Sequence, residues 1–224
     1  MGEMITLTSD DGFKLGAYKA AAKGKPRGGV VVIQEIFGVN SHIKSLTDGF
    51  AADGYTSIAP ALFDRVERGV EMGYQPSDIE RGREMRGKLG WDTMVMDMKA
   101  AVDALKKENL KVTVIGYCMG GSLAWLAATR IPGVAAAVGY YGGAVADFAN
   151  EQPKSPVLLH FGETDQSIPK EHWDKIKAAH PKIPMHIYQG AGHGFSCDQR
   201  ASYHAASART ARERTMEFLK QHVG

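Results

Sequence analysis

Lys111-Val-Thr-Val-Ile-Gly-Tyr-Cys-Met-Gly-Gly121, followed by Ser122-Leu-Ala-Trp-Leu-Ala-Ala128, passes from a mostly apolar, β-branched run through a cysteine set between glycines into a helix-forming stretch. Lys111 to Ile115 reads as a buried strand, like the continuously apolar Gly29 to Ile33, which suits a central parallel strand covered on both faces. The Gly-x-Cys-x-Gly step that follows is the turn that lifts a nucleophile to the edge of a sheet, here with cysteine in place of serine. Gly116 and Gly120 leave room where side chains would collide with strand and helix, and the sharp turn strains the residue between them. The positive end of the helix favours a thiolate at Cys118 and an oxyanion at the Met119 N–H. A buried, inert cysteine is the alternative, because cysteine is often buried in folded proteins.

Strands and helices alternate on either side of this segment. Met4 to Thr8 and Phe13 to Lys19 alternate apolar and polar residues around Asp11-Gly12 and are expected to form an antiparallel edge hairpin. Gly29 to Ile33 reads as a buried strand, Ser41 to Asp53 as a helix, Tyr55 to Ala59 as a strand and Thr93 to Glu108 as a helix. Gly121 to Arg130, Lys170 to Ala179 and a long stretch from about Gln199 to His222 are helical in pattern. Val134 to Tyr140, Val157 to Phe161 and Met185 to Tyr188 read as strands. The expected fold class is α/β, a doubly wound, mostly parallel sheet with an antiparallel N-terminal hairpin, in one domain over residues 1–224. Pro60 to Gly90 breaks the period with Asp, Arg, Gly and Pro, and is expected to be a long active-site loop with a helical part near Ile79 to Lys88.

Composition narrows the partners. Lys and Arg total 27 against 25 Asp and Glu, and a net charge of +2 gives no electrostatic case for nucleic acid or an anionic membrane. No apolar run approaches the roughly 20 residues that cross a bilayer, and MGEMITLT has neither the basic nor the apolar part of a signal peptide. A cytoplasmic monomer is expected. The two cysteines, Cys118 and Cys197, form no CxxC, and the eight histidines show no ligand spacing, so neither a disulfide nor a metal is expected.

Two partners for Cys118 follow it along the chain. Asp165 closes Leu159-His-Phe-Gly-Glu-Thr-Asp165 directly after a buried strand, and His193 lies in Gly190-Ala-Gly-His-Gly-Phe195 between the last strand and the last helix. Nucleophile, acid, histidine is the order of α/β-hydrolases. Glu163 and Asp174 compete with Asp165 for the place of the acid. Glu35, at the end of the Gly29 to Ile33 strand, has a separate claim, since a buried carboxylate is costly unless it is paired or protonated. A binding protein without catalysis remains the reading from another class.

With Gln34-Glu-Ile-Phe-Gly-Val-Asn40, Gly116-Tyr-Cys-Met-Gly-Gly121, Val138-Gly-Tyr-Tyr-Gly142, the Asp165 strand end and Ala191-Gly-His-Gly-Phe195, the chain resembles the dienelactone hydrolases over nearly its whole length. The resemblance implies a cofactor-free α/β-hydrolase that opens a small enol lactone through a cysteine acyl-enzyme, with a broader carboxylesterase or thioesterase as the alternative. It implies that Glu35 acts on the Cys118 thiol and that the Ile36 N–H joins that of Met119 at the oxyanion. It also implies two substrate-binding arginines. Arg83 matches the first, but the second position, four residues after His193, is Cys197, which cannot replace a bidentate guanidinium. Arg81 and Arg86 are the candidate substitutes. Gly194 and Gly87 depart from the serine and the aromatic residue of the family pattern.

Overall fold

After an opening hairpin, strand and helix alternate to the end of the chain. The computed structural model describes residues 1–224. It runs β1 (Glu3–Thr8), β2 (Lys14–Ala20), β3 (Gly28–Ile33), α1 (Ser41–Ala52), β4 (Tyr55–Pro60), a 3₁₀ turn at Leu62–Arg65, α2 (Pro76–Gly87), α3 (Trp91–Lys107), β5 (Val112–Tyr117) and α4 (Met119–Arg130). It continues with β6 (Val134–Tyr140), a 3₁₀ turn at Gly143–Ala146, β7 (Val157–Gly162), α5 (Lys170–Ala179), β8 (Met185–Tyr188) and α6 (Ala205–His222). The strands form one eight-stranded sheet in the order β1-β2-β4-β3-β5-β6-β7-β8. All pairs are parallel except β1 with β2 and β2 with β4.

Every residue of β3, β4 and β5 is buried, and in β3 this is what a continuous apolar run requires. Val30, Val31, Val32 and Ile33 are wholly shielded, and burial of such side chains stabilises the fold by about 1.5–3 kcal/mol each. Right-handed crossovers place α1, which leads back from β3 to β4, on the face opposite α3 and α4, which lead forward to β5 and β6. Arg212 of α6 lies over the Phe50 ring of α1, so these two helices share a face. No helix is long and apolar enough to cross a membrane.

Three expectations need correction. Of the two hairpin strands only β1 is an edge strand, because β2 pairs with β1 on one side and β4 on the other. Alternation in β2 reports one covered face and is silent about the number of neighbours. The helix expected near Ile79 to Lys88 in the 60–90 region starts three residues earlier: α2 begins at Pro76, and Gln75 and Asp78 form a reciprocal capping box. Only Gly82 and Met85 of this helix are buried, so it has almost no apolar period to read. Finally, α6 begins at Ala205 rather than near Gln199. Residues 194–204 make successive turns, with Cys197 N–H donating to Gly194 O, Arg200 N–H to Cys197 O and Tyr203 N–H to Arg200 O. These turns send the Arg200 side chain back towards the sheet edge.

Candidate active site

The carboxyl ends of β3, β5, β7 and β8 deliver Glu35, Cys118, Asp165 and His193 to one edge of the sheet, where open α/β sheets hold their ligands. Cys118 caps α4 with φ 56° and ψ −117°, a left-handed conformation that costs a non-glycine residue about 1–3 kcal/mol. A side chain on Gly116 would collide with the Gly120 carbonyl, and one on Gly120 with the carbonyls of Ile33 and Gln34. The turn is therefore wedged between α4 and the end of β3. Cys118 N–H donates to Tyr140 O at 3.0 Å, and Cys118 O accepts from Gly121 N–H at 2.9 Å.

Asp165 is buried, and its Oδ2 lies 2.7 Å from His193 Nδ1. Its Oδ1 accepts from the Ser167 N–H at 2.8 Å, which fixes the carboxylate plane. Of the two competing acids, Asp174 pairs with Lys170 on the surface and Glu163 accepts from the Gly190 N–H. Burial opposes an imidazolium at His193, but attraction to Cys118, the hydrogen bond with Asp165 and the hydrogen bond with the Cys118 thiol outweigh it. Together they push the imidazole up to about 10. Tyr141, itself at φ 39°, packs against the His193 ring with centroids 5.2 Å apart and bonds Ser196 Oγ through its hydroxyl at 2.8 Å. Tyr140 bonds Thr215 in the core, and Trp125 is buried packing that donates to Phe148 O.

Glu35 is 1% exposed. Its Oε1 accepts from Arg200 Nη1 at 2.9 Å, and its Oε2 accepts from the Tyr74 hydroxyl at 3.3 Å. The partners of this carboxylate are thus a guanidinium and a phenol, not the Cys118 thiol that the resemblance implies. Arg200 escapes sequence reasoning because it lies three residues past the expected position and reaches the site only through the turns after Gly194. The available signal was the demand of a buried carboxylate for a cation, with Arg200 the one cationic residue between Gly194 and Tyr203. Cys197, at the expected arginine position, is fully buried, and burial followed by the nearby Glu35 charge pushes its thiol up to about 11.

Cys118 and His193 open onto a cavity of about 360 Å³ that is also lined by Ile36, Met119, Arg83 and Arg200. Its size suits a small molecule. Met119 is the first residue of α4, where a helix leaves N–H groups unpaired, and the Ile36 N–H donates to no backbone carbonyl. A side chain on Gly82 would collide with the Ile36 carbonyl, so α2 lies directly on the Glu35–Ile36 segment and carries Arg83 to the cavity wall. Arg86 also lines the cavity, but it is stacked 4.0 Å over Trp91 and donates to Leu89 O. Arg81 turns away to pair with Glu67. A thiol, an imidazole oriented by a carboxylate, and two residues, Ile36 and Met119, with backbone N–H groups free of the sheet, all lining one pocket, are a set that can perform acyl transfer.

The family model described as the dienelactone hydrolase family matches residues 15–223. The chain is 36% identical over 209 residues to a candidate carboxymethylenebutenolidase of Synechocystis sp., covering 85% of each chain. It is 34% identical over 230 residues to a carboxymethylenebutenolidase of Pseudomonas putida, covering 97% of this chain and 95% of the relative. A crystal structure of a candidate dienelactone hydrolase from Klebsiella pneumoniae superposes with a TM-score of 0.86 at 30% identity, covering 98% of this chain and all of that one.

Proposed function

This chain belongs to the dienelactone hydrolase family, hydrolases of small lactones or esters, and on that premise we propose that Cys118 is its nucleophile. In the proposed cycle the Cys118 sulfur attacks the lactone carbonyl, and the Ile36 and Met119 N–H groups stabilise the oxyanion. The carbon–oxygen bond of the ring breaks, the departing oxygen takes a proton from His193, and an acyl thioester remains on Cys118. Water then attacks the thioester, giving its proton to His193, and the thiolate leaves. Asp165 holds the imidazole in the required tautomer throughout. The observation that carries this reading is the 2.7 Å contact of Asp165 with His193 beside a cavity that both His193 and Cys118 line.

Glu35 adjusts the thiol through its own charge, which Arg200 shares, and Arg83 receives a carboxylate on the substrate. Among the three cavity arginines only Arg83 has neither an ion pair nor a ring partner. This single free guanidinium also favours a second reading, a carboxylesterase that tolerates neutral esters. The two unpaired thiols favour a reducing compartment such as the cytoplasm, and the few exposed large hydrophobic residues favour a monomer.

Hydrolysis of dienelactone beside a neutral aryl ester tests the proposal. Arg83→Ala is expected to raise KM for the acidic lactone about 10- to 100-fold, the value of a charge-assisted hydrogen bond, and to leave the neutral ester unchanged. Equal effects on both substrates would remove Arg83 from the carboxylate site. Wild-type indifference to the substrate carboxylate would favour the broader esterase.

A further inference from the structure

Beneath the cavity, three metal-ligating side chains meet that share no sequence motif. Glu35 leaves the end of β3, His42 stands in the first turn of α1, and Cys197 lies in the turns after β8. One potential ligand atom from each lies within 4.8 Å of the other two, and the three residues are only 1%, 3% and 0% exposed. His42 supplies the decisive detail. Its Nδ1 is 3.5 Å from the Asp198 carboxylate, while its Nε2 is buried with no hydrogen-bond partner. A buried ring nitrogen without a partner is costly and calls for an occupant. A carboxylate on the other ring nitrogen is the usual support of a metal-bound histidine.

We propose that Glu35, His42 and Cys197 form a buried site for a zinc-type divalent ion. One carboxylate oxygen, one imidazole nitrogen and one thiolate make a borderline-soft donor set that favours zinc or cobalt over magnesium or calcium. Binding releases the Cys197 proton and metal-bound waters to solvent, and the three protein ligands leave a fourth position open. The carboxylate oxygens keep lone pairs beyond those taken by Arg200 and Tyr74. The sequence expectation of no metal rested on local spacing, and these ligands come from three segments joined only by the fold.

A metal on Glu35 shares the carboxylate with Arg200 and repels its guanidinium, so occupation also disturbs the cavity wall that Arg200 lines. That coupling rests on the function proposed above, whereas binding itself does not. Cobalt(II) titration of the full-length protein, followed by its thiolate charge-transfer absorption, reads binding directly. Wild type and Cys118→Ala are expected to bind one cobalt with that band. Cys197→Ala, checked for folding by circular dichroism, is expected to lose the band, and His42→Gln to weaken binding by at least about tenfold. No band in wild type, or a band lost in Cys118→Ala but kept in Cys197→Ala, would overturn the site. In ester hydrolysis, zinc is expected to inhibit wild type and to spare Cys197→Ala. Equal inhibition of both, with the cobalt band present, would refute the coupling to Glu35.

Discussion

At Cys118 a positive φ, a helix N-terminus and an imidazole converge on one sulfur atom, and the side chains around it divide the work. In the proposed cycle Asp165 positions the imidazole: Asp165→Asn keeps the shape but frees the wrong tautomer, and is expected to lower kcat on the order of 10³- to 10⁴-fold with little change in KM. A loss below tenfold would show that His193 needs no such partner. His193 also links the site to stability. Its folded value, about 10, lies above the ordinary 6.5, so its contribution is complete below about pH 6.5 and is lost as pH rises through about 10. Urea unfolding midpoints between pH 6 and 10 are expected to fall more steeply for wild type than for His193→Gln; parallel profiles would contradict the linkage. Cys118, Asp165 and His193 were legible as residues because each sits within a few positions of a strand end. Arg200 and the His42–Cys197 neighbourhood were not, because no local pattern records which residues a series of turns brings together.

Among the elements, β3 could be read from its apolar run because a parallel strand buried on both faces leaves little ambiguity. Helix α2 was only half legible. Its charged surface hides the helical period, and the informative signals were Pro76 at its first position and the Gln75–Asp78 cap. Its place in the site is set by Gly82 against the Ile36 carbonyl. Gly82→Val is therefore expected to push α2 away from the Glu35–Ile36 segment and to reduce kcat by tenfold or more. It should destabilise the fold by about 1–3 kcal/mol, as overpacking does. Steady-state kinetics and thermal unfolding on one preparation check both effects, and an active, equally stable Gly82→Val would show that the helix is not seated there.

Across the whole molecule, the parallel order of the sheet explains why residues from 36 to 200 share one pocket. Strands running the same way bring their carboxyl ends to one edge, and each loop beyond an end contributes a side chain. Topology of this kind was inferable from the alternation of elements, but the inward position of β2 was not, since alternation in a strand does not count its neighbours. The central claim is that hydrolysis passes through an acyl group on Cys118. Its most direct test is peptide mapping by mass spectrometry of Asp165→Asn, quenched during turnover of a small lactone. The acyl mass is expected on the peptide that carries Cys118; an acyl mass on any other side chain, or substrate turnover with no acylated peptide at all, would contradict it.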